Sequence, residues 1–243
     1  GSARTNSTNY NIGYVAGTLT VTPALLTYNA TAATSVYGTT PSVNAGTITG
    51  FVNSQNQASA TTGTLTFTTA ATSASGVGSY AINGSGLTAN NGNYTFTQAA
   101  GNSTALTITP ATLTITANNQ STTYGTALTL GTSAFTTSGL VASDAVSSVT
   151  LLQGGNATIA ATQAAGVYSG GTNGIIASAA NGTGLGNYAI VYAPGTLTIN
   201  KAVLTVTADN QTKVYGNANP TLTYSVTGYQ NSESASVLSG TAS

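Results

Sequence analysis

One strand-like phrase occurs three times in this chain: GTLTVTPALLTYNATAATSVYG at 17–38, STALTITPATLTITANNQSTTYG at 103–125 and GTLTINKAVLTVTADNQTKVYG at 195–216. Self-similarity at a fixed period restricts a chain to repeat architectures before any other signal is weighed. Tyr-Gly recurs at Tyr37-Gly38, Tyr124-Gly125 and Tyr215-Gly216, spaced by 87 and 91 residues. Asn-Tyr recurs at Asn9-Tyr10, Asn93-Tyr94 and Asn187-Tyr188, and a glycine after Thr or Ser recurs at Gly50, Gly139 and Gly228. A unit of about 90 residues is too long for one solenoid rung and suits a small β-sandwich.

The parity of the apolar positions places the unit boundaries. Leu197 and Ile199 are odd-numbered whereas Leu204 and Val206 are even; Leu106 and Ile108 against Leu113 and Ile115, and Leu19 and Val21 against Leu26 and Tyr28, switch in the same way. Side chains of a strand alternate faces, so a one-residue slip turns the apolar set to the opposite side. The slips fall at Pro23, Pro110 and Lys201, and Pro interrupts a strand ladder. One strand therefore ends there, and the next begins after two or three residues in a different core. The chain parses as the last strands of one repeat (1–23), repeat one (24–110), repeat two (111–201) and the first half of another (202–243). Strands are predicted at 25–30, 43–52, 63–69, 79–83, 93–98 and 105–109, with NGSG, ANNGN and NGTGLGN as turns. The expected fold is all-β: tandem Ig-like, Greek-key sandwiches arranged as an extended rod, with short linkers limiting movement between them.

Composition supports folding and removes most chemistry. Hydrophobic residues make up 40% of the chain and alternate with Thr, the pattern of half-buried strands rather than of disorder. There are only three basic and three acidic residues, with no His, Cys, Met or Trp. Asp144, Asp209 and Glu233 stand singly and far apart in sequence, so no acid–base pair, metal site or cofactor is expected. Arg4, Lys201 and Lys213 form no phosphate-neutralising patch, which argues against nucleic acid as a partner. No apolar run approaches the roughly 18 residues of a membrane helix, so membrane insertion is not expected either. Gly1-Ser2 reads as an expression or processing scar. An enzyme is not expected.

The order Asn-Tyr, Gly-Thr-Leu-Thr-Val/Ile, Leu-Thr-Val/Ile-Thr-Ala and Tyr-Gly resembles the MBG repeat of the YGX type over residues 9–243, most clearly in ADNQTKVYGNANPTLTYSVTGYQNSESASVLSG. The first two repeats depart from it: Thr126-Ala127-Leu128 stands in place of the Gly216-Asn217…Pro220 pattern. The resemblance implies an extracellular, mostly-β stalk segment of a very large bacterial surface protein, commonly a filamentous-haemagglutinin-like adhesin exported by two-partner secretion. It brings no catalytic or ligand residues with it. Near-zero net charge is compatible with lateral association of stalks in a biofilm.

Other signals have ordinary explanations. In the Tyr-Gly pairs, Gly is expected to supply a turn and Tyr to pack over the end of a domain. Runs such as GTLTFTT at 63–69 resemble ice-binding faces, but Thr is also the natural choice for an exposed strand face. Asn-x-Ser/Thr triplets at Asn29, Asn83, Asn93, Asn102, Asn156 and Asn181 follow from the composition. An isopeptide cross-link needs a buried Lys beside an acid and an amide, and the two whole repeats offer only Lys201, at their edge, so none is expected. Two partner readings remain beside contacts with other repeats of the same parent chain. Polysaccharide could bind exposed aromatics, with Tyr192, Tyr224 and Tyr229 as first candidates, and the half-units at the two ends could complement each other between neighbouring copies by strand addition.

Overall fold

The computed structural model describes residues 9–239; Gly1-Ser2 and Arg4 lie outside the described residues. Immediately after Pro23 the alternation of apolar and polar residues makes Ala24–Ala30 a strand, β1, with Leu26 and Tyr28 turned inward. The first repeat continues with β2 (Ala33–Val36), β3 (Gly46–Thr49), a single helical turn α1 (Gln57–Ala60), β4 (Thr61–Thr68), β5 (Gly78–Tyr80), β6 (Asn83–Ala89), β7 (Tyr94–Gln98) and β8 (Leu106–Thr109). The central strand β1 pairs antiparallel with β3 and parallel with β7, aligning Ala24 with Tyr94. A second sheet has the order β2-β8-β5, and β4 pairs with β6.

The second repeat rebuilds this plan. Its strands are β9 (Ala111–Ala117), β10 (Gln120–Thr123), β11 (Leu128–Thr129), β12 (Phe135–Ser138), β13 (Ala145–Leu152), β14 (Thr158–Ile159), β15 (Gly166–Tyr168), β16 (Ile176–Thr183), β17 (Tyr188–Ala193) and β18 (Leu197–Asn200). The sheets are β12-β9-β17, β10-β18-β15, β13-β16 and β11-β14. Again the first strand pairs parallel with the Asn-Tyr strand, Ala111 opposite Tyr188. The phrase ATLTITA shows why: Ala111, Leu113, Ile115 and Ala117 are buried while Thr112 faces solvent. Each fully buried Leu or Ile contributes roughly 1.5–3 kcal/mol, and Leu26, Leu106, Leu113, Ile115 and Leu197 are all at 0% exposure. A third copy of the first-strand hairpin follows as β19 (Thr205–Ala208) with β20 (Tyr224–Thr227), paired antiparallel.

The chain divides into two compact units. One holds the described residues up to Ala33 with Ser42–Ala70 and Ser79–Leu106; the other holds Thr34–Pro41, Ala71–Gly78 and the described residues from Thr107 onward. In the first, Asn102 is the buried polar centre. Its amide donates to the Tyr28 carbonyl and to Gln98 Oε1, both at 2.9 Å, and accepts from Ala30 N at 2.9 Å. Asn102, the first residue of its Asn-x-Ser/Thr triplet, is thus closed to solvent, while Ser103 and Thr104 are exposed.

The all-β class stands, but several local expectations are corrected. NGSG is not a turn: Asn83–Gly86 opens β6, and Gly63 and Gly86 meet at a bulge where a Cβ on Gly63 would lie 2.1 Å from the Gly86 carbonyl oxygen. The glycines permit close approach of two backbones inside a strand pair. In NGTGLGN, likewise, Asn181–Thr183 closes β16 before a 3₁₀ turn at Leu185–Asn187. The strand expected over 43–52 shortens to β3, and the single predicted strand over 79–83 becomes the end of β5 and the start of β6. The strands expected in the 1–23 segment are absent from its described part, where Leu19 and Val21 are 88% and 84% exposed. Their counterpart β18 is held between β10 and β15. The linkers also differ from two or three residues: Pro110 alone separates β8 from β9, and residues 201–204 separate β18 from β19.

Candidate functional site

The glycines at 50, 139 and 228 each open the same six-residue loop: GFVNSQ at 50–55, GLVASD at 139–144 and GYQNSE at 228–233. All three close through a turn in which the sixth residue donates its N–H to the carbonyl of the third: Gln55 to Val52 at 3.1 Å, Asp144 to Val141 at 3.1 Å and Glu233 to Gln230 at 2.8 Å. The turn needs positive φ, at Asn53 and Ser54, at Ala142, and at Asn231 and Ser232. Asn is among the few non-glycine residues that take this conformation cheaply. The loop thereby aims its last side chain, an amide or a carboxylate, at a fixed place.

A tyrosine of the Tyr-Gly pair arrives at that place. Tyr37 donates to Asp144 Oδ2 at 2.9 Å across 107 residues, and Tyr124 donates to Glu233 Oε1 at 2.6 Å across 109 residues. These are charge-assisted bonds, shorter and stronger than neutral ones. The glycine beside each tyrosine lets the loop come close. Gly38 has φ +88° and a Cβ there would meet Val141 Cγ2 at 2.6 Å; Gly125 has φ +93° and a Cβ there would meet the Gln230 side chain at 2.2 Å. Val141 and Gln230 hold the same third position of their loops. The Ala161 carbonyl accepts from Gly125 N at 3.0 Å and from Asn231 Nδ2 at 3.1 Å, tying loop and Tyr-Gly turn to one atom.

The loop is braced by the Asn-Tyr strand as well. Tyr188 accepts from Val141 N at 2.8 Å and donates to Asp144 Oδ2 at 2.7 Å, so one carboxylate oxygen serves two phenols. The Tyr37 and Tyr188 rings meet edge to face, centroids 5.5 Å apart. Burial, then the hydrogen bond to Asp144, pushes the Tyr188 phenol up to about 12. The bond to Asp144, followed by burial, raises Tyr37 too. Tyr94 repeats the bracing in the first loop, accepting from Val52 N at 3.1 Å and donating to Gln55 Oε1 at 2.6 Å. Two of the chain's three acidic residues occupy the same loop position, and both receive a Tyr-Gly tyrosine. They are 89 residues apart, the spacing of the glycines that precede them.

The third Tyr-Gly pair has the same backbone and no such neighbour. Gly216 has φ +91° with nothing within 4 Å of a Cβ, and Tyr215 is fully exposed. The tyrosines suggested for polysaccharide are placed differently from one another. Tyr192 is half-buried, with its hydroxyl accepting from Ala180 N at 3.0 Å; the Tyr229 hydroxyl is buried without a partner; Tyr224 is 48% exposed on β20. A cleft of about 400 Å³ lies beside the Tyr124–Glu233 bond, with Lys201, Thr162 and Leu204 in its walls. Among the described residues no group of three or more His, Cys, Asp or Glu could hold a metal, and no helix is long and apolar enough to cross a membrane.

Fold and site together define an all-β tandem-repeat module whose recurring feature is a tyrosine–loop contact. The chain belongs to the MBG domain (YGX type) family, whose model matches residues 26–104, 113–198 and 204–243. This is a non-catalytic repeat family. No curated protein and no solved structure matches the chain. Each bonded tyrosine lies in one match and its carboxylate in the next: Tyr37 with Asp144, and Tyr124 with Glu233.

Proposed function

We propose that this chain is a spacer segment of a large secreted bacterial surface adhesin, setting how far a binding tip stands from the cell. MBG repeats are found in surface adhesin-like proteins. In this reading 24–110 and 111–201 are whole repeats, and each restrains its successor. The observation that carries it is the recurring bond from a Tyr-Gly tyrosine to the carboxylate of the following match. A chain with so few charges that places two of its three acids in this one contact is built to restrain a junction. A free linker would need no such pairing, because flexible connections are made from Gly- and Ser-rich sequence.

The chain lacks cysteine, so paired spin labels can be placed without background at Thr150 and Ser225, both exposed and on either side of the Tyr124–Glu233 bond. The distance distribution between them is expected to be narrow in the parent chain and to broaden in Glu233→Ala. A broad distribution in the parent, or no change in the variant, sinks the spacer reading.

A further inference from the structure

We propose that the second repeat bears tension along the chain: its first two strands and its last two form a clamp that pulling loads in shear. The proposal rests on the spacer reading for the source of the load, and adds to it a resistance that is measured separately.

The path of the load follows from chain order. Family matches lie on both sides of the second repeat, so a pull along the chain enters it at β9 and leaves it at β18. β9 pairs parallel with β17 over Ala111–Thr116, and β10 pairs parallel with β18 over Gln120–Thr123. In both ladders each residue faces the one 77 positions further on, Ala111 opposite Tyr188 and Gln120 opposite Leu197. Residues 111–123 and 188–200 therefore run side by side in one register while changing sheets together. At the crossing Thr196 N donates to Asn119 Oδ1 at 2.7 Å, and Gln120 N donates to the Thr196 carbonyl at 2.9 Å. Gly195 permits this approach, since a Cβ there would lie 2.5 Å from the Ala117 carbonyl oxygen. Past the last pair, Tyr124 N donates to the Asn200 carbonyl at 2.9 Å.

Parallel pairing decides how such a ribbon fails. The start of β9 and the end of β18, where the pull acts, lie at opposite ends of the paired segments. Tension slides one segment along the other and strains all the ladder bonds at once. Antiparallel terminal strands would bring both pulled ends to the same end of the ladder, where bonds open one after another. The core opposes sliding as well. Leu113, Ile115 and Leu197 are at 0% exposure and Ile199 at 3%, and a slip of one residue turns such a set to the opposite face. The pair β13–β16, with its register shifts, lies outside the load path. In the first repeat β1 and β7 are parallel too. Its crossing holds the 3₁₀ turn Ala100–Thr104, where the buried Asn102 amide bonds the Tyr28 carbonyl and Ala30 N of β1.

Optical tweezers on the whole chain test the clamp by pulling it in two geometries. Handles on Thr112→Cys and Lys201→Cys, both at exposed positions, load the ribbon from opposite ends. Handles on Thr112→Cys and Ala189→Cys act on residues that face each other in the ladder, and peel the edge strand β17 from β9. Either event releases about 25–30 nm of chain, which identifies it. Thermal unfolding of the two double variants is expected to match. At one pulling speed the first geometry is nevertheless expected to need roughly twice the force of the second or more, because forced unfolding follows the barrier along the pull and not the equilibrium stability. Equal forces in the two geometries, or a lower force from Thr112 and Lys201, overturn the proposal. Either result leaves the spin-label distances, which judge the spacer reading, untouched.

Discussion

Tyr124 donates to Glu233 at 2.6 Å, and the glycine that follows Tyr124 is the residue against which Gln230, three positions before Glu233, is packed. Tyr37, Gly38, Val141 and Asp144 repeat the relation in kind. Polar contact and close approach are thus coupled: the loop reaches the phenol only because the glycine has no Cβ in its way.

Asp144 is the most consequential side chain of the contact, since its Oδ2 accepts from both Tyr37 and Tyr188. Asp144→Ala leaves two phenols without their acceptor and is expected to destabilise by about 2 kcal/mol, in the range for removing one partner of a bond to a charged group. Tyr37→Phe is expected to cost less, because the carboxylate keeps Tyr188. Chemical denaturation of the single and double variants measures both costs and their coupling.

Stability is expected to fall between about pH 10 and pH 12. The folded Tyr188 phenol holds its proton up to about 12, whereas the unfolded one releases it near 10, and Tyr37 is shifted in the same direction. In that window the unfolded state binds fewer protons than the folded state, so unfolding becomes easier as pH rises. The stabilisation is complete below pH 10 and gone above the folded value. Urea midpoints across this range in the parent and in Tyr188→Phe test it; an equal slope in both removes Tyr188 as the cause.

Ala142 adopts φ +50° where the other two loops have Asn53 and Asn231. A left-handed alanine costs roughly 1 kcal/mol. Ala142→Gly is therefore expected to stabilise by about 0.5–1 kcal/mol, with Ala142→Asn in the same direction. Loss of stability in both variants would mean that the methyl group packs usefully against something the turn geometry does not reveal.

Gly125 and Gly216 separate strain from contact. Both have φ near +90°, but only Gly125 faces a neighbour, Gln230. Gly216→Ala is expected to cost only the backbone term, about 1 kcal/mol. Gly125→Ala is expected to cost more and to lower hydrogen-exchange protection of the β19–β20 amides. Equal effects from the two substitutions would show that the Gln230 contact contributes nothing.

Much of the fold is legible because it follows from short-range pattern. The Leu-Thr-Ile-Thr alternation gives β8, β9 and β18, and the parity slip at Pro110 separates β8 from β9 with that one residue between them. β2 and β10, with the sequences ATSV and QSTT, carry too little hydrophobic signal to be read as strands; they exist because β8 and β18 hold them. The helical turn α1 is hidden for a similar reason, resting on a capping box between Asn56 and Ser59 in an otherwise featureless stretch. Of the site, the tyrosines and glycines stand out as repeated pairs. Their acceptors do not, because the loop position changes from Gln55 to Asp144 to Glu233 and the bonded partners lie 107 and 109 residues apart. The one available sign is arithmetic: Asp144 and Glu233 share the spacing of Gly139 and Gly228.

The second repeat carries both halves of the contact, receiving Tyr37 on Asp144 and offering Tyr124 to Glu233. That makes it interchangeable in a way that bears on inheritance. Unequal recombination between tandem copies deletes or duplicates whole periods, and excising this one would set Tyr37 opposite Glu233, a tyrosine before a carboxylate once more. An array assembled from such two-sided tiles can lengthen or shorten between generations while every new seam is closed by residues already present.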